Sequence, residues 1–498
     1  MNASDAGTAP RHTTAILAII LVSYFMILLD NSIIFTALPT IRTAMHYSTT
    51  GLAWVQDAYT LVFGGLLLLG ARAGDLLGRR RVFICGVAVF AFASLLVGVA
   101  PAGWWLIGSR ALQGIGAAVV APSSLSLLTA SFPHGPRRAK AVALYGATAG
   151  IGASLGLVIG GALADWVSWR AGFFVNVPTG AAMILLAPRY LPETARRPGR
   201  FDLTGAVCAT LGVGALVFAV IGFADASWTS PVTAVALAAG LALLAVLVAA
   251  ERRAVQPIMP LRLFGSRLRV GAYLARLLYL GAMIGFFYFS TQYLQDVLGF
   301  TAFEAGVAFF PMTVVNFAVA MAIPRLTTRF GQAVPLATGV TLTLIGMAWL
   351  SRVPESGSYW AAVALPMVLI GAGQGLAFAP MTSAGIARVG IDDAGAASGM
   401  VNTFHQVGMA LGLGVLIAAS AHAGHGLTAP AAVLTAHVSS ALTVGSVLLA
   451  LGLIVTLALI LPAELAGRHR DVGRAGRPAS PERLLAAATG TDREYARR

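Results

Sequence analysis

Cysteine is almost absent from this chain. Its only two cysteines, Cys85 and Cys208, lie in strongly apolar stretches, where a thiol behaves as a small apolar side chain. The sequence therefore gives no sign of a disulfide framework or of a metal site, and we expect no cofactor.

Charge is scarce as well, since only 10% of the 498 residues are charged whereas 58% are hydrophobic. The mean hydropathy is +0.82, while a soluble domain carries charge on about a quarter of its residues. Connections between the apolar stretches are short, which excludes a large soluble catalytic domain. This composition predicts an all-α polytopic membrane protein in contact with a lipid bilayer.

Apolar windows of about 20 residues, each long enough to cross roughly 30 Å of hydrocarbon, recur along almost the whole chain. They predict fourteen spans, near residues 15–38, 51–71, 82–101, 105–130, 141–164, 172–191, 204–223, 231–250, 270–294, 304–323, 333–351, 359–380, 396–420 and 439–462. The first is too long for the apolar region of a signal peptide, so we expect it to remain as a membrane helix.

Basic residues are distributed unevenly across these spans. A net charge of +14 would favour a nucleic-acid partner in a soluble protein. Here 28 of the 33 lysine and arginine residues fall on the side that carries both termini, and only Arg42, Arg170 and Arg352 fall on the other. By the positive-inside rule we expect both termini to be cytoplasmic, in a cytoplasmic membrane, and no nucleic-acid partner.

Two basic breaks, near residues 189–203 and 251–269, divide the chain. The two spans between them, 204–223 and 231–250, are almost free of polar residues, which favours a packing role. Removing them leaves six spans on either side, as in transporters built from two halves. The predicted segments are a cytoplasmic N-terminus (1–14), a six-helix bundle (15–191), a basic linker with two extra central helices (192–250), a cytoplasmic linker (251–269), a second six-helix bundle (270–462) and a basic tail (463–498). We expect the tail to be disordered, its charge either resting on anionic lipid or only setting topology.

A weak internal repeat supports this division. The run GAGQG at 371–375, followed by Pro380, echoes QGIG at 113–116, followed by Pro122. Each run lies in the fourth predicted span of its half. Such repeats are typical of transporters that rock two halves around a central site.

One acid, Asp30, interrupts the first span. An ionised carboxylate near the middle of a bilayer is unfavourable by several kcal/mol, so it is by default a functional group, most often in the movement of protons or cations. The alternative is a neutral, hydrogen-bonded structural group between helices.

The connection after the second span reads GARAGDLLGRRR. Gly78 permits a tight turn, and Asp75 can form charge-assisted bonds with Arg79 and Arg80 that hold one side of the protein closed. This loop resembles the hallmark G-x-x-x-D-x-x-G-R-[RK] of the major facilitator superfamily, with Ala71 in place of the first glycine. We therefore expect a cytoplasmic gate here.

Arg110, Gln113 and Gly114 in the fourth span share one helical face, which cannot face lipid without a large penalty. The run is similar to the arginine motif of the same superfamily, which the resemblance associates with proton coupling. A structural arginine that binds carbonyl groups of a neighbouring helix is the alternative.

Glycines four residues apart give the fifth span a flat face for close packing. Gly152, Gly156, Gly160 and Gly161 resemble the exporter motif G-x-x-x-G-P-x-x-G-G, with Leu157 in place of the proline, which removes an expected bend. We expect these glycines to let helices slide between conformational states.

The surroundings of Asp30 complete the resemblance. The run LDNSIIFTALP is similar to the L-D-x-T-I-V-N-V-A-L-P signature of the fourteen-span drug:proton antiporters, with Ser32 for threonine and Phe35 for asparagine. Further matches are Trp169, Arg170, Phe174, Asn176, Pro178 and Gly180 entering the sixth span, and Gly399, Asn402, Thr403, Gln406, Gly408 and Gly412 in the thirteenth. The resemblance covers about residues 13–462 and implies the major facilitator fold.

Other polar residues lie within or beside the spans. Asp57 either lines an outer vestibule or is a hydrated cap near the outer end of the second span. His405 stands where the family often carries arginine, and both a hydrogen-bonded histidine between helices and a proton site remain open. Five more lie at or near the ends of the ninth and tenth spans, namely Arg276, Gln292, Gln295, Asp296 and Glu304. Snorkelling or capping is expected to account for most of them.

These features predict a monomer, not an enzyme, that exports amphipathic, mainly cationic, drug-sized compounds in exchange for protons. We expect Asp30 to carry the proton and Arg110 to modulate it. Six aromatic residues either line the wall of the cavity or face lipid, namely Tyr24, Phe25, Phe35, Tyr59, Phe286 and Phe287. The candidate substrate or cation contacts are Asp57, Tyr24, Phe35, Gln113, His405 and Asn402.

Three alternatives remain. The chain could export one endogenous metabolite, such as an antibiotic or a siderophore. A receptor or scaffold is disfavoured, because scaffolding needs no carboxylate inside the membrane. A membrane-embedded enzyme is disfavoured because the spans contain no H-E-x-x-H run.

Overall fold

The computed structural model describes residues 13–132, 135–194, 196, 201–225, 230–254, 257, 259–390 and 393–466. Over these residues the fold is all-α, and fourteen helical segments are long and apolar enough to span a membrane. The predicted number of spans is confirmed. The predictions for the first twelve residues and for the tail beyond residue 466 lie outside the described residues.

The described helices are α1 (Thr13–Met45), α2 (Thr49–Leu77), α3 (Arg79–Gly98), α4 (Gly103–Ser131), α5 (Pro136–Trp166), α6 (Trp169–Phe174), α7 (Asn176–Tyr190), α8 (Leu203–Asp225), α9 (Pro231–Arg253), α10 (Arg267–Gln292), α11 (Ala302–Ala308), α12 (Phe310–Phe330), α13 (Ala333–Leu350), α14 (Leu365–Gly385), α15 (Ala394–Ser420) and α16 (Pro430–Val455). One span contains α6 and α7, and another contains α11 and α12. Short π-helical turns extend α10 and α16 and precede α14.

Helices α1–α7 and α10–α16 form two bundles that share a packing scheme. In the first bundle α4 crosses α2 at Gly114, where an added Cβ would lie 2.7 Å from the carbonyl oxygen of Tyr59. In the second bundle α14 crosses α12 at Gly371, where an added Cβ would overlap the carbonyl oxygen of Met312. Both crossings need glycine because the two backbones touch. The second and fourth spans of each half are therefore paired alike, in agreement with the weak repeat in the sequence.

The two extra helices lie beside the bundles. Helix α8 packs against α2, where Gly65 lies against Thr210 and the Trp54 and Phe218 rings are 6.1 Å apart. It also packs against α15, where an added Cβ at Gly414 would lie 3.4 Å from a side-chain carbon of α8. Helix α9 packs on α8 and leaves most of its apolar side chains exposed, which fits a surface covered by lipid.

We name the side on which α1 begins the terminal face, and the side on which α1 ends the opposite face. Since consecutive spans alternate in direction, α16 runs back to the terminal face. The two bundles are joined at the opposite face. There Arg42 forms a salt bridge with Asp296 at 2.8 Å, and Asp165 at the end of α5 accepts hydrogen bonds from two backbone N–H groups at the start of α11. The conformation is therefore closed at the opposite face.

The largest difference from the predicted bounds occurs in the last span. The prediction began at residue 439, whereas α16 begins at Pro430. Thr435 and His437 lower the hydropathy of its first turns, so a hydropathy window misses them. These two polar residues do not interrupt the helix, and proline is well suited to the first helical position.

Candidate functional site

Asp30 lies in α1 with no exposed surface, and both oxygens of its carboxylate are hydrogen-bonded. Oδ2 accepts a hydrogen bond from Nη1 of Arg110 at 2.7 Å. Oδ1 accepts from Nε2 of Gln113 at 2.7 Å and from Nδ2 of Asn176 at 2.8 Å. Three helices of the first bundle, α1, α4 and α7, thus converge on one buried acid. The sequence related Arg110 to Asp30 and placed Gln113 on the same helical face as Arg110. It named Gln113 a substrate or cation contact, whereas here Gln113 binds Asp30.

Besides its salt bridge with Asp30, Arg110 contacts three neutral groups. Its Nε donates to the carbonyl oxygen of Val55 on α2 at 3.1 Å. The guanidinium carbon lies 4.4 Å from the ring centroid of Tyr59 and 5.9 Å from that of Phe173, within the range of cation–π attraction. The contact with Val55 fits the structural alternative left open by the sequence, an arginine that binds a carbonyl group of a neighbouring helix, while a role in proton coupling stays a prediction.

The burial of this ion pair determines what it can do. Desolvation roughly cancels the attraction within a buried pair, but removing one partner is destabilising by about 3–5 kcal/mol, because the other charge stays buried and uncompensated. Both side chains have 0% exposure. A proton that reaches Asp30 would therefore change the balance of the whole network, and the arrangement is suited to a proton-linked switch.

Sequence reasoning missed part of this network. The hydroxyl of Ser94 on α3 accepts from Gln113 at 2.7 Å and from Asn176 at 3.3 Å, and it donates to the carbonyl oxygen of Phe90. Asn176 had been noted only as a family match, and Ser94 not at all. The signal that could have found them is that each is an isolated polar residue in an apolar run, and a polar group in a bilayer needs a partner.

Asp57 on α2 is fully buried, and neither of its carboxyl oxygens has a hydrogen-bond partner within the described part of the chain. The hydrated-cap prediction is therefore wrong. Helix α2 begins two turns earlier, at Thr49, and the closed opposite face covers Asp57. The acid lies close enough to Tyr288 of α10 to interact with it electrostatically, so it belongs to the interface between the bundles.

The loop predicted to be a gate braces the first bundle in this conformation. Asp75 forms a salt bridge with Arg79 at 2.9 Å, and Arg79 also donates to a carbonyl of α4. Arg80 lies 3.7 Å from Glu193 and donates to two carbonyl groups near the end of α7. Gly78 has φ +101°, a conformation that favours glycine. These contacts tie α2, α3, α4 and α7 together.

The fifth-span glycines serve two interfaces. Gly152, Gly156 and Gly160 face α1, where an added Cβ would come 2.5–3.0 Å from atoms of that helix. Gly161 faces the second bundle instead, and an added Cβ would overlap the carbonyl oxygen of Ala302. The predicted flat face is confirmed, and it continues across the contact that closes the opposite face.

Leu157 and Ser154 lie in the same helix as these glycines. Leu157, in the place of the motif proline, is buried, and α5 continues through it to Trp166. Ser154 lies in the run GASLG, which matches the hydrolase pattern G-x-S-x-G. Its position in the middle of a helix, with its hydroxyl bonded to Gly150 and 3.2 Å from that of Thr313, differs from the strand–turn–helix that such a nucleophile requires.

A second buried arginine lies in the second bundle. Arg276 on α10 is 3% exposed, and it donates to Thr382 at 2.8 Å and to Nδ1 of His405 at 3.1 Å. Its guanidinium lies 4.4 Å from the ring centroid of Phe378. The snorkelling prediction for Arg276 is wrong, because α14 and α15 supply partners inside the bundle. A guanidinium can only donate, so His405 Nδ1 accepts, as expected for a hydrogen-bonded histidine between helices.

The other end-of-span residues divide between capping and bundle contacts. Glu304 forms a capping box with Thr301, as predicted. Asp296 and Gln295 instead reach the first bundle, Gln295 by donating to a carbonyl of α1 at 3.0 Å. Gln292 is buried and donates to a carbonyl within its own helix.

Among the candidate wall residues, two aromatic pairs are well defined. Tyr24 stacks on Tyr145 with ring centroids 4.0 Å apart. Phe35 stacks across the bundle interface on Phe287 at 5.5 Å. The remaining candidates are Phe25, which is half-buried, Tyr59 and Phe286, which are buried, and Asn402, which is exposed and donates within α15.

The structure has two bundles of six spans each, two additional helices, and buried charges inside each bundle. These features define a polytopic membrane transporter. The chain belongs to the Major Facilitator Superfamily, whose sequence profile matches residues 20–413. Its fourteen spans fit the fourteen-span drug:proton antiporters of that superfamily.

Similar proteins agree with this assignment. The chain is 39% identical over 446 residues to a cephamycin export protein of Amycolatopsis lactamdurans, covering 88% of this chain and 91% of that protein. It is 37% identical over 466 residues to the puromycin resistance protein pur8 of Streptomyces alboniger, covering 90% and 92%. The crystal structure of a peptide transporter POT in complex with sulfate matches with a TM-score of 0.66 at 14% identity, covering 91% of this chain and 95% of that one, which supports the fold alone.

Proposed function

We propose that this protein is a proton-coupled antiporter that exports amphipathic, drug-sized compounds across the cytoplasmic membrane by alternating access. The observation that carries the proposal is the Asp30–Arg110 pair, sealed inside the first bundle at 0% exposure. Similarity to a cephamycin export protein and to a puromycin resistance protein supports export as the direction of transport. The single chain is proposed to be the transport unit.

The contacts of the pair support proton coupling. A proton on Asp30 removes its negative charge and releases Nη1 of Arg110 from the ion pair. Gln113 already accepts from that nitrogen at 2.7 Å and remains as its partner. The attachment of α1 to α4 is then weaker, so proton binding favours a different packing of the two helices. Each proton that enters contributes about 2.3 kcal/mol per 100 mV of membrane potential to moving substrate outward.

The direction of transport requires an orientation, and we propose that the terminal face is cytoplasmic. Arg79, Arg80 and Arg189 lie at this face, together with the other basic residues of the connections on that side. The positive-inside rule favours the cytoplasm for such a face. The described conformation, closed at the opposite face, is then the one in which a substrate site opens only toward the cytoplasm.

The return step requires the opposite face to open. The Arg42–Asp296 salt bridge and the bonds of Asp165 to α11 must break, and the glycine face of α5 must move against α11. Small residues allow such movement because no side chains interlock there. The Asp75 loop, which now braces the first bundle, is proposed to hold the cytoplasmic side closed in the alternate state.

The structure refines the expected preference for cations. That preference treated Asp30 as a free counter-charge, but Asp30 is fully bonded to Arg110, Gln113 and Asn176. A cationic group would instead find Asp57, whose carboxylate has no hydrogen-bond partner within the described residues. The proposal therefore retains amphipathic character and connects any cation preference with Asp57.

A second candidate is export of one endogenous metabolite. It is favoured by similarity to a protein named for the export of a single antibiotic, cephamycin. The resistance profile of cells that express the chain separates the two, because a multidrug exporter protects against many unrelated compounds whereas a dedicated exporter protects against one.

Reconstitution tests the proposal itself. In proteoliposomes with an imposed pH gradient, addition of a substrate should drive proton movement that a fluorescent pH indicator detects inside the vesicles. If no compound of a broad panel moves under the gradient, and none dissipates it, the antiporter proposal fails.

A further inference from the structure

Arg276 differs from Arg110 in the charge of its surroundings. The partners of Arg276 are a threonine hydroxyl, an imidazole and an aromatic ring, all neutral. Within the described part of the chain no carboxylate forms a salt bridge with it, and its Nε has no hydrogen-bond partner. A fixed positive charge is therefore buried without a counter-charge.

This arrangement is unfavourable unless something compensates for it. A charged side chain inside the membrane is destabilising by several kcal/mol when it is neither hydrated nor paired. Hydrogen bonds to neutral groups and one cation–π contact recover part of that energy, but they leave the net charge in place.

The Arg276 site faces the interface between the bundles. Arg276 lies close enough to Tyr24 on α1 to interact with it electrostatically. Tyr24 in turn stacks on Tyr145 of α5, so an aromatic surface of the first bundle lies opposite the charge. Phe378 keeps 36% of its surface exposed beside the guanidinium. By the rise of a helix, Arg276 lies about 14 Å along α10 from its start at the terminal face.

We propose that Arg276 binds the carboxylate of the exported compound, so that the transporter accepts amphipathic acids and zwitterions. The free Nε donor binds one carboxylate oxygen, and the aromatic rings of Phe378, Tyr24 and Tyr145 hold the apolar body. This inference rests on the proposed export function and adds the substrate class. The carboxylate supplies the missing counter-charge, so the empty and occupied states differ in net charge at Arg276.

The test compares two probes that share one apolar body, N-dansyl-phenylalanine and its methyl ester. Equilibrium binding to purified protein in nanodiscs is followed by dansyl fluorescence, without a proton gradient. Because a charge-assisted hydrogen bond contributes more than a neutral one, we expect the acid to bind about 10-fold more tightly than the ester. Arg276→Gln should reduce the affinity for the acid to that for the ester, and leave the ester unchanged.

Two variants serve as controls. Arg276→Lys keeps the charge and should retain part of the preference for the acid. Arg170→Gln removes a guanidinium that lies 4.4 Å from the Trp169 ring at the opposite face, and should change neither affinity. Thermal unfolding of each variant in nanodiscs reports whether it is folded.

Several outcomes would overturn the inference. One is equal affinity of the unmodified protein for the acid and the ester, a result that needs no variant. Arg276→Gln weakening both probes equally, or Arg170→Gln abolishing the preference, would do the same. Failure of the proposed function is distinguishable, because it requires gradient-driven transport to be absent whatever the binding preference.

Discussion

Two arginines are buried within the spans as far as the structure describes them, and they differ in what neutralises them. Arg110 is paired with Asp30 at 2.7 Å, and the pair is held by amide groups from two further residues. Arg276 has only neutral partners in the described chain. We propose that the first site gains and loses a proton within the protein, whereas the second takes its counter-charge from a bound anion.

Arg110→Gln tests the pairing by itself. The change removes the counter-charge of Asp30, and breaking a buried ion pair is destabilising by about 3–5 kcal/mol. We expect a lower unfolding temperature and loss of gradient-driven export. The double variant Asp30→Asn with Arg110→Gln should recover most of the stability, because no charge is then left buried. Thermal unfolding of the four proteins measures the coupling, and additive effects of the two changes would contradict the pairing.

Sequence reasoning succeeded where a charge stands alone in an apolar run, as Asp30 and Arg110 do. It failed for Ser94, because a serine in a helix can satisfy its hydroxyl with a carbonyl of the preceding turn, and its sequence looks the same in either case. It also failed for Arg276, because distance along a helix does not tell whether a long side chain turns toward water or toward a neighbouring helix. Hydrogen-bond partners on other helices are a property of the fold.

Helix α5 connects the helix that carries Asp30 with the contact that closes the opposite face. One part of its glycine face lies against α1, which carries Asp30, and Gly161 lies against the start of α11 in the second bundle. A change in the packing of α1 on α5 is therefore adjacent to the contact that closes the opposite face. Leu157 keeps the helix unbroken through this region, so movement of α5 as one body is expected.

Gly161→Ala should hinder closure of the opposite face, since the added Cβ would overlap the carbonyl oxygen of Ala302. Gly146→Ala in the same helix is the matched control, because nothing lies within 4 Å of its added Cβ. The measurement is the rate at which a membrane-impermeant maleimide labels Ala302→Cys from the outside, in a background without Cys85 and Cys208. Ala302 is only 3% exposed in the closed state, so labelling reports opening. We expect faster labelling with Gly161→Ala only, and equal rates in both variants would contradict this role.

At the level of elements, hydropathy predicted the number of spans and most of their bounds. It could not show which spans pair, because pairing depends on where two backbones can approach. Gly114 and Gly371 mark such places, but many of the 56 glycines in the sequence do not. The weak repeat was useful because Gly114 lies in one of its runs and Gly371 lies in the other.

The two bundles are held at the opposite face by contacts that are only partly exposed. Arg42 and Asp296 have side-chain exposures of 33% and 26%, so their salt bridge is expected to contribute at most about 1 kcal/mol. This is small enough for one bound proton or substrate molecule to change the conformational balance. The closed state is therefore expected to be reversible.

Exchanging the charges tests this contact. Arg42→Glu alone places two acids opposite each other and should shift the protein toward the state that is open at the opposite face. Arg42→Glu with Asp296→Arg should restore the closed state. The labelling rate at Ala302→Cys reports both, and a double variant that labels as fast as the single one would argue against a direct salt bridge.

At the level of the whole molecule, we propose that substrate and proton are linked through Asp30. The most direct measurement is proton release from purified protein in weakly buffered solution, followed with a pH indicator on addition of a substrate identified by reconstitution. We predict that substrate releases protons from the unmodified protein, that Asp30→Asn still binds the substrate, and that Asp30→Asn releases none. Release of the same number of protons by Asp30→Asn would contradict the account.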